Sequence, residues 1–415
     1  MHDAVVIGAG HNGLVAANVL ADAGWSVLVV EAEDEPGGAV RSGELIEPGF
    51  VNDRFSAFYP LAAASPVFRS LGLEIPFRHG PLVLAHPALD GTCPVVERDG
   101  GDPRWGRLEP AVLRGLVTPF PQIRAALQLA PALDALTLFR RPDDPFAARV
   151  REGNALHTDC PPWSLAGRIF GVLLTELGRR YGFPCVERGS GTITRLLVER
   201  ALARGVELRL GERVDRVPAA NRAVIAAIDV WELARITGRT SRVERDPATT
   251  KVDWTLDGPI PWTADDARRA PVVHLGGPGA FVLFGQYSMA DPTRSPAGKE
   301  IAWAYSHTLP GAEAIERLVE RYAPGFGVLV RGRRVEELPP GRVNLGTSKL
   351  RNELFLRPFH GRPEAGLDGV YLASASAHPG GAVHGAPGWI AAQAALRAAS
   401  RRRPRGLASF TISSR

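Results

Sequence analysis

The sequence predicts an α/β fold that opens on a β-α-β unit, and three observations at its start predict it. Residues 4–7 (Ala-Val-Val-Ile) are a short apolar run rich in β-branched residues and closed by glycine. Residues 14–23 are Ala-rich and helix-forming, and Gly24 stands where a helix stops in the left-handed conformation. Ser26 to Val30 is a second run of buried-strand type that ends in Glu31.

The turn between the first strand and the helix carries chemistry. Val6-Ile7-Gly8-Ala9-Gly10-His11-Asn12-Gly13 places three glycines where a dinucleotide fold needs them, and Glu31 follows eighteen residues after Gly13. Gly8 permits the tight turn, Gly10 lets the backbone approach a pyrophosphate, and Gly13 lets helix and strand pack closely. The helix N-terminus offers free N–H groups and its dipole to the diphosphate, and Glu31 can accept from ribose hydroxyls. A strand before the pattern, a helix after it and an acid at this distance make it a specific Rossmann-type signal.

Further along, Pro36 to Pro66 is irregular and rich in glycine, proline and aromatics, and 81–185 reads as an α-rich cap with helices at Gln122–Leu129 and Leu165–Arg179. Ile193 to Arg204 is an amphipathic helix ended by Gly205, with strands expected at Val206–Leu210 and Arg222–Ile228. Lys251 to Trp262 alternates and then breaks at prolines; Phe281–Gly285 and Ile301–His307 are further strands. Gly369–Ala375 is a strand before a Gly/Pro/His loop and the helix Trp389–Ala399. A second strand-loop-helix at the far end implies a discontinuous nucleotide domain made of 1–80, 186–230 and 335–400. The expected substrate domain, mixed sheet plus helices, is 81–185 and 231–334, with 401–415 a tail.

Composition narrows the function. No run reaches the length of a membrane-spanning helix, and the first strand begins too close to Met1 for a cleavable signal, so a cytoplasmic protein is expected. Only three of the 49 basic residues are lysines, Lys251, Lys299 and Lys349. The arginines are spread among acidic neighbours, which excludes a nucleic-acid stripe; Arg-rich, Lys-poor usage with abundant Ala, Gly and Pro reflects a GC-rich genome, and weak attraction to anionic membrane surfaces is the functional alternative for the +5 charge. Cys93, Cys160 and Cys185 form no CxxC pair, which excludes disulfide-reductase chemistry. No metal-ligand spacing is present: His274, His307 and His360 stand alone in sequence, and activity is expected to need neither metal nor thiol.

Two further stretches decide the cofactor by resemblance. Glu31 through Pro36-Gly37-Gly38-Ala39-Val40-Arg41-Ser42 resembles the second dinucleotide-contact segment of the flavin amine oxidase and phytoene desaturase superfamily. Gly369 through His378-Pro379-Gly380-Gly381-Ala382-Val383-His384 to Gly388 resembles the C-terminal signature of phytoene desaturase-like flavoproteins. Tyr181–Pro184 through Arg213-Val214, Lys251 through Trp262, and Ser288–Thr293 extend the resemblance over most of the chain outside 90–160. The resemblance implies FAD, held by Gly8, Gly10, Gly13, Glu31, Gly37, Gly38, Arg41 and Val214, with Gly381, Ala382 and Val383 beside the flavin ring. It also implies a lipophilic, polyene or isoprenoid-like substrate in an apolar tunnel, handled by hydride transfer at flavin N5 or by isomerisation. Joints between matched blocks are short around Arg98–Asp102, Arg239–Glu244 and Lys349–Phe355. Either loops have been lost there or the chain lacks segments, and the shortfall falls on the substrate site.

Two residues are candidates for the chemistry itself. Lys251 begins a strand that resembles the one placing a lysine near flavin N5 in flavin amine oxidases; a solvent-facing lysine is the alternative. His378, with His384 on the other side of Gly380-Gly381, is placed to act on a proton or to hydrogen-bond the loop. An amine oxidase and a flavin-binding partner protein with little catalysis stand as the other readings, and the oligomeric state is open.

Overall fold

In the computed structural model, residues 1–55, 57–118, 137–349 and 363–402 are described. The predicted helix Gln122–Leu129, His360 and most of the basic tail lie outside them.

Five parallel strands form the first sheet, in the order Val370–Leu372, Ala223–Ala226, Ala4–Ile7, Val27–Val30 and Glu207–Arg209. Ala4–Ile7 lies at its centre, with Val6 opposite Ile225 on one side and Val29 on the other. The three inner strands are entirely buried, as a parallel sheet covered on both faces requires. On one face, Leu14, Val15 and Val19 of helix His11–Asp22 pack with Ile193 and Leu197 of Gly191–Leu202 and with Ala391 and Ala395 of Ala386–Arg402. On the other, Val230, Leu233 and Ile236 of helix Val230–Thr237 close over Ile7, Val224 and Ala226.

A second sheet of seven strands runs in the order Val330–Leu338, Thr249–Leu256, Glu300–Ser306, Val282–Gln286, Val272–Leu275, Leu84–Ala85, Val95–Val96. It is mixed, since Val272–Leu275 pairs parallel to Leu84–Ala85 while the other pairings are antiparallel. Thr249–Leu256 is buried along its whole length. Val252, Trp254 and Leu256 face helix Gly311–Tyr322, whose Ile315, Leu318 and Val319 cover them. By strand alternation Lys251, Asp253 and Thr255 take the opposite face, toward the nucleotide domain.

The division between the two sheets differs from the sequence expectation at two places. Helix Val230–Thr237 belongs to the nucleotide sheet, because its apolar stripe has Ile7 and Val224 to bury against. Val330–Leu338 belongs to the second sheet, register-paired from Thr249↔Leu338 to Leu256↔Val330. Its run of charges hid it, since an edge strand exposing every second residue carries polar side chains.

One buried ion network locks the sheets together. Arg294 Nη1 donates to Asp53 Oδ2 at 2.6 Å, with both side chains fully buried. The same guanidinium donates to Asp291 Oδ2 and to the Val186 carbonyl, and lies 4.3 Å from the Tyr287 ring centroid. Asp53 in turn accepts from the Ser190 N–H at the start of helix Gly191–Leu202, and Asp291 from the Arg188 N–H. Burial works most strongly against the Arg294 charge, but the Asp53 carboxylate together with the other neighbouring groups outweighs it and raises the pKa. Arg294→Met therefore strands two buried carboxylates, and urea unfolding should show a loss of about 3–5 kcal/mol.

Candidate active site

The three glycines of the first turn each have a visible task. Gly8 has φ +96°, and a Cβ there would stand 2.9 Å from the Ala227 carbonyl oxygen. A Cβ on Gly13 would lie 2.1 Å from the Gly8 carbonyl oxygen, so helix and strand meet only through glycine. A Cβ on Gly10 would meet nothing within 4 Å. Gly10 also caps the helix without a side-chain hydrogen bond, and no acid stands in the first turn. The open space and the uncapped N–H groups coincide where the pyrophosphate is expected.

The second glycine segment folds onto the first. The Gly37 N–H donates to the Ala9 carbonyl at 2.9 Å, and a Cβ on Gly38 would touch Gly10 Cα at 3.4 Å. Arg41 Nε donates to the Gly38 carbonyl and Nη1 to Glu35, which ties the acidic run 33–35 over the doublet. A cavity of about 300 Å³ opens beside Arg41, Ser42 and Thr194. Glu31 Oε2 accepts from the Ala9 N–H at 2.7 Å and Oε1 from the Glu33 N–H, which fixes the carboxylate at the end of its strand. Val214 lies in the loop after Glu207–Arg209 and packs against Val5, Leu28 and Val30.

The C-terminal loop closes on this cradle. A Cβ on Gly388 would stand 1.9 Å from the Asn12 carbonyl oxygen, so the last helix presses against the first turn. Ala382 adopts φ +88°, a strained value for a residue with a side chain. His384 closes the loop on itself: Nδ1 accepts from the Ala386 N–H and Nε2 meets the Gly381 carbonyl, while burial holds its pKa at about 3. His378 points elsewhere, with Nε2 3.0 Å from the Gly115 carbonyl. His11, held neutral by burial at about 4, is bonded to the backbone at Ala382, yet its Nε2 and the Asn12 Oδ1 are buried without a partner among the described residues. Orphaned polar atoms beside the open space at Gly10 fit a polar phosphate-bearing group. FAD fits the residues present.

Lys251 is almost fully buried, which removes the solvent-facing alternative. Its Nζ donates to the Asp53 carbonyl at 3.2 Å and to Asp253 Oδ1 at 2.5 Å. Burial pushes the Asp253 carboxyl up, against the pull of Lys251. Asp253 and Asp53 are site residues that sequence reasoning passed over. The signal was present in the strand, since Asp253 stands two residues from Lys251 and so shares its face. Register adds Tyr305 opposite Lys251 and Trp303 opposite Asp253, their rings stacked at 5.1 Å. Phe58 and Tyr287 continue the aromatic run.

The histidines that stand alone in sequence do not all stand alone in the fold. His274 meets His157 at 2.7 Å and lies against His86. A small cavity of about 30 Å³ is lined by His157, Asp159, Asp246, Tyr305, His307 and Asn344. A Cβ on Gly381 would stand 2.8 Å from Asn344 Oδ1, so this cavity adjoins the C-terminal loop. Among the described residues no group of histidine, cysteine or acidic side chains could hold a metal ion.

These contacts predict a clean separation between two glycine variants. Gly10→Val should keep wild-type circular dichroism but weaken FAD binding at least about 100-fold by filling the space left for the phosphates. Gly13→Val should instead unfold the protein, because its side chain meets backbone. Ultrafiltration of added FAD and thermal melts check the two together.

Comparison with known proteins agrees with the fold and with FAD as the cofactor. The profile of the family FAD dependent oxidoreductase matches residues 3–143. The pyridine nucleotide-disulfide oxidoreductase domain-containing protein 2 of Rattus norvegicus is 23% identical, over 95% of this chain and 93% of that protein. That alignment spans 550 positions against a chain of 415 residues, so more than a hundred of its positions face no residue of this chain. A limonene dehydrogenase polypeptide of Castellaniella defragrans is 44% identical over 72 residues, 17% of this chain and 13% of that protein. The fold matches cyclohexylamine oxidase from Brevibacterium oxydans with a TM-score of 0.60 at 18% identity, covering 96% of this chain and 99% of that one. Residues 3–143 thus carry an FAD-dependent oxidoreductase domain, the cofactor is FAD, and the protein is an FAD-dependent oxidoreductase.

Proposed function

We propose that this oxidoreductase acts on a lipophilic, isoprenoid- or polyene-like substrate, by desaturation, saturation or isomerisation. The observation that carries the reading is the aromatic face of the second sheet. Tyr287, Phe58, Trp303 and Tyr305 run as neighbouring rings along the side that carries Lys251 and looks toward the nucleotide domain. Such a wall suits a flat, apolar chain better than a small polar molecule. The 72-residue similarity to limonene dehydrogenase supports an isoprenoid in the same sense.

When bound, FAD supplies hydride acceptance and donation at its ring. The chain's own residues supply orientation and electrostatics. The Gly8–Gly13 turn, Glu31 and the Gly37–Arg41 segment hold the nucleotide half. The Gly380–Val383 loop, braced by His384, fixes the far end. Lys251, held between Asp53 and Asp253, uses two of its three N–H donors within the protein, and the third is the one it can offer to developing negative charge.

A second reading, oxidation of an amine, has its own observation. The small cavity beside Tyr305 is lined by two carboxylates, Asp159 and Asp246, with no lysine or arginine among its lining residues. That charge favours an ammonium group. Anaerobic mixing of the FAD-loaded protein with polyene lipid extract and with an amine panel separates the readings. Bleaching of the oxidised flavin's visible absorption band by lipids alone supports the first, and by amines alone the second.

Lys251 gives a sharper test. Lys251→Met leaves buried Asp253 with only the Arg334 guanidinium, 3.7 Å away, so it should cost up to about 3–5 kcal/mol in urea unfolding. Adding Asp253→Asn should restore most of that stability, since the stranded charge is gone. Flavin reduction should stay slower by about 100-fold in both variants if the cation serves the ring. Recovery of the rate along with the stability in the double variant would make Lys251 a structural residue only.

A further inference from the structure

Two loops meet at Gly381, and both hold strained backbone. Among the described residues three non-glycines have positive φ, and two of them are Ala382 at +88° and Leu345 at +51°. The loops are in direct contact: a Cβ on Gly381 would stand 2.8 Å from Asn344 Oδ1 and 3.3 Å from Asn344 Cβ, so the Asn344 side chain lies against the Gly381 backbone. Strain at two facing residues persists only where the surroundings over-determine it, and such places are commonly functional.

Residues 341–348 belong to no helix or strand, so individual hydrogen bonds set their course. Most come from one buried carboxylate. Asp246 accepts at Oδ2 from the Val343 and Asn344 N–H groups, at 3.2 and 3.1 Å, and at Oδ1 from the Gly346 N–H at 2.9 Å. Its carbonyl accepts from the Gly341 N–H. Asp159 holds the next two residues, accepting from the Thr347 hydroxyl and the Ser348 N–H. From the C-terminal loop, Ser376 Oγ donates to the Leu345 carbonyl at 3.0 Å.

We infer that Asn344 is a further residue of the active site, presenting its carboxamide to the ring end of the bound flavin, and that Asp246 is the residue that positions it. The Asn344 side chain lines the cavity shared with Tyr305 and brings two N–H donors to it. A fixed N–H donor at the ring stabilises the negative charge that a reduced flavin carries at its pyrimidine end, without a charge of its own. Asp246 has both oxygens turned onto the loop N–H groups, so its influence on the ring passes through Asn344. The assignment rests on the proposed placement of the flavin beside Gly381, and a control variant tests that placement separately.

The experiment is the two-electron midpoint potential of the FAD-loaded full chain, measured by equilibration with a reference dye after bound FAD is quantified. Asn344→Leu should keep the FAD stoichiometry and weaken stabilisation of the reduced form at least about tenfold, a fall of about 30 mV. Asp246→Asn should lower the potential in the same sense, because its carboxamide puts an N–H where the loop needs an acceptor. In the double variant the two losses should not add. Ser376→Ala, which frees the Leu345 carbonyl, loosens the same loop by a second route and should shift the potential the same way. Losses that add in full, or an unshifted potential in both Asp246→Asn and Ser376→Ala, would make Asp246 structural only. The control is Ala382→Glu, which puts a carboxylate on the Gly381 loop and lowers the potential if the ring lies there. A shift in that control, with Asn344→Leu within about twofold of the wild-type equilibrium, overturns the role of Asn344 and leaves the placement standing. No shift in either overturns both.

Discussion

The Asp53–Arg294 ion pair is the constraint on which the rest of the molecule depends. Arg294 follows the Asp291 turn of the second domain, and Asp53 belongs to the short strand after the Arg41 segment of the nucleotide domain. Neither charge has water to fall back on, so the pair persists only because each partner is also hydrogen-bonded, Asp53 by the Ser190 N–H and Arg294 by Asp291 and the Val186 carbonyl. The same Asp53 offers its backbone carbonyl to Lys251. One residue thus fixes the start of a nucleotide-domain helix, the joint between domains and the amine of the candidate catalytic lysine. Its geometry and the geometry of the lysine cannot change independently.

From that joint the site assembles as two faces. The nucleotide face is nearly all backbone: glycines at 8, 10, 13, 37 and 38, uncapped N–H groups and one fixed carboxylate. Backbone recognises phosphates well because its donors are rigid and need no side-chain ordering. The opposite face is all side chain, with buried charges at Lys251 and Asp253 next to aromatic rings. Division of labour follows from this. Binding strength resides in the part that substitutions at Lys251 or Trp303 do not touch, so redox chemistry and cofactor retention should vary separately.

Much of this was legible in the sequence because its signals are local. A β-α-β unit with its glycines and acid lies within about thirty residues, and each glycine has the steric task expected of it: Gly8 in the left-handed turn, Gly13 against the Gly8 carbonyl, Gly10 beside open space. Strands at 251, 281 and 301 and the helices at 165 and 193 also fall close to their expected places. The strand Val330–Leu338 did not show, because charged residues on an edge strand mimic a loop. Short joints between the blocks were visible too, and the long alignment with the rat protein shows that this chain has fewer residues within the matched span.

By itself, then, the sequence determined the nucleotide fold and pointed to the turns that would cradle the cofactor, since turn geometry, helix dipole and strand periodicity act over a few residues, while FAD itself followed from resemblance. Only the tertiary structure decided what Lys251 faces, for burial and partnership depend on strands distant in sequence that pair in register. It also decided the partnership of Asp53 with Arg294, 241 positions apart, and the meeting of His86, His157 and His274. A buried charge or an orphaned imidazole nitrogen is defined by everything packed around it, and no local pattern encodes that.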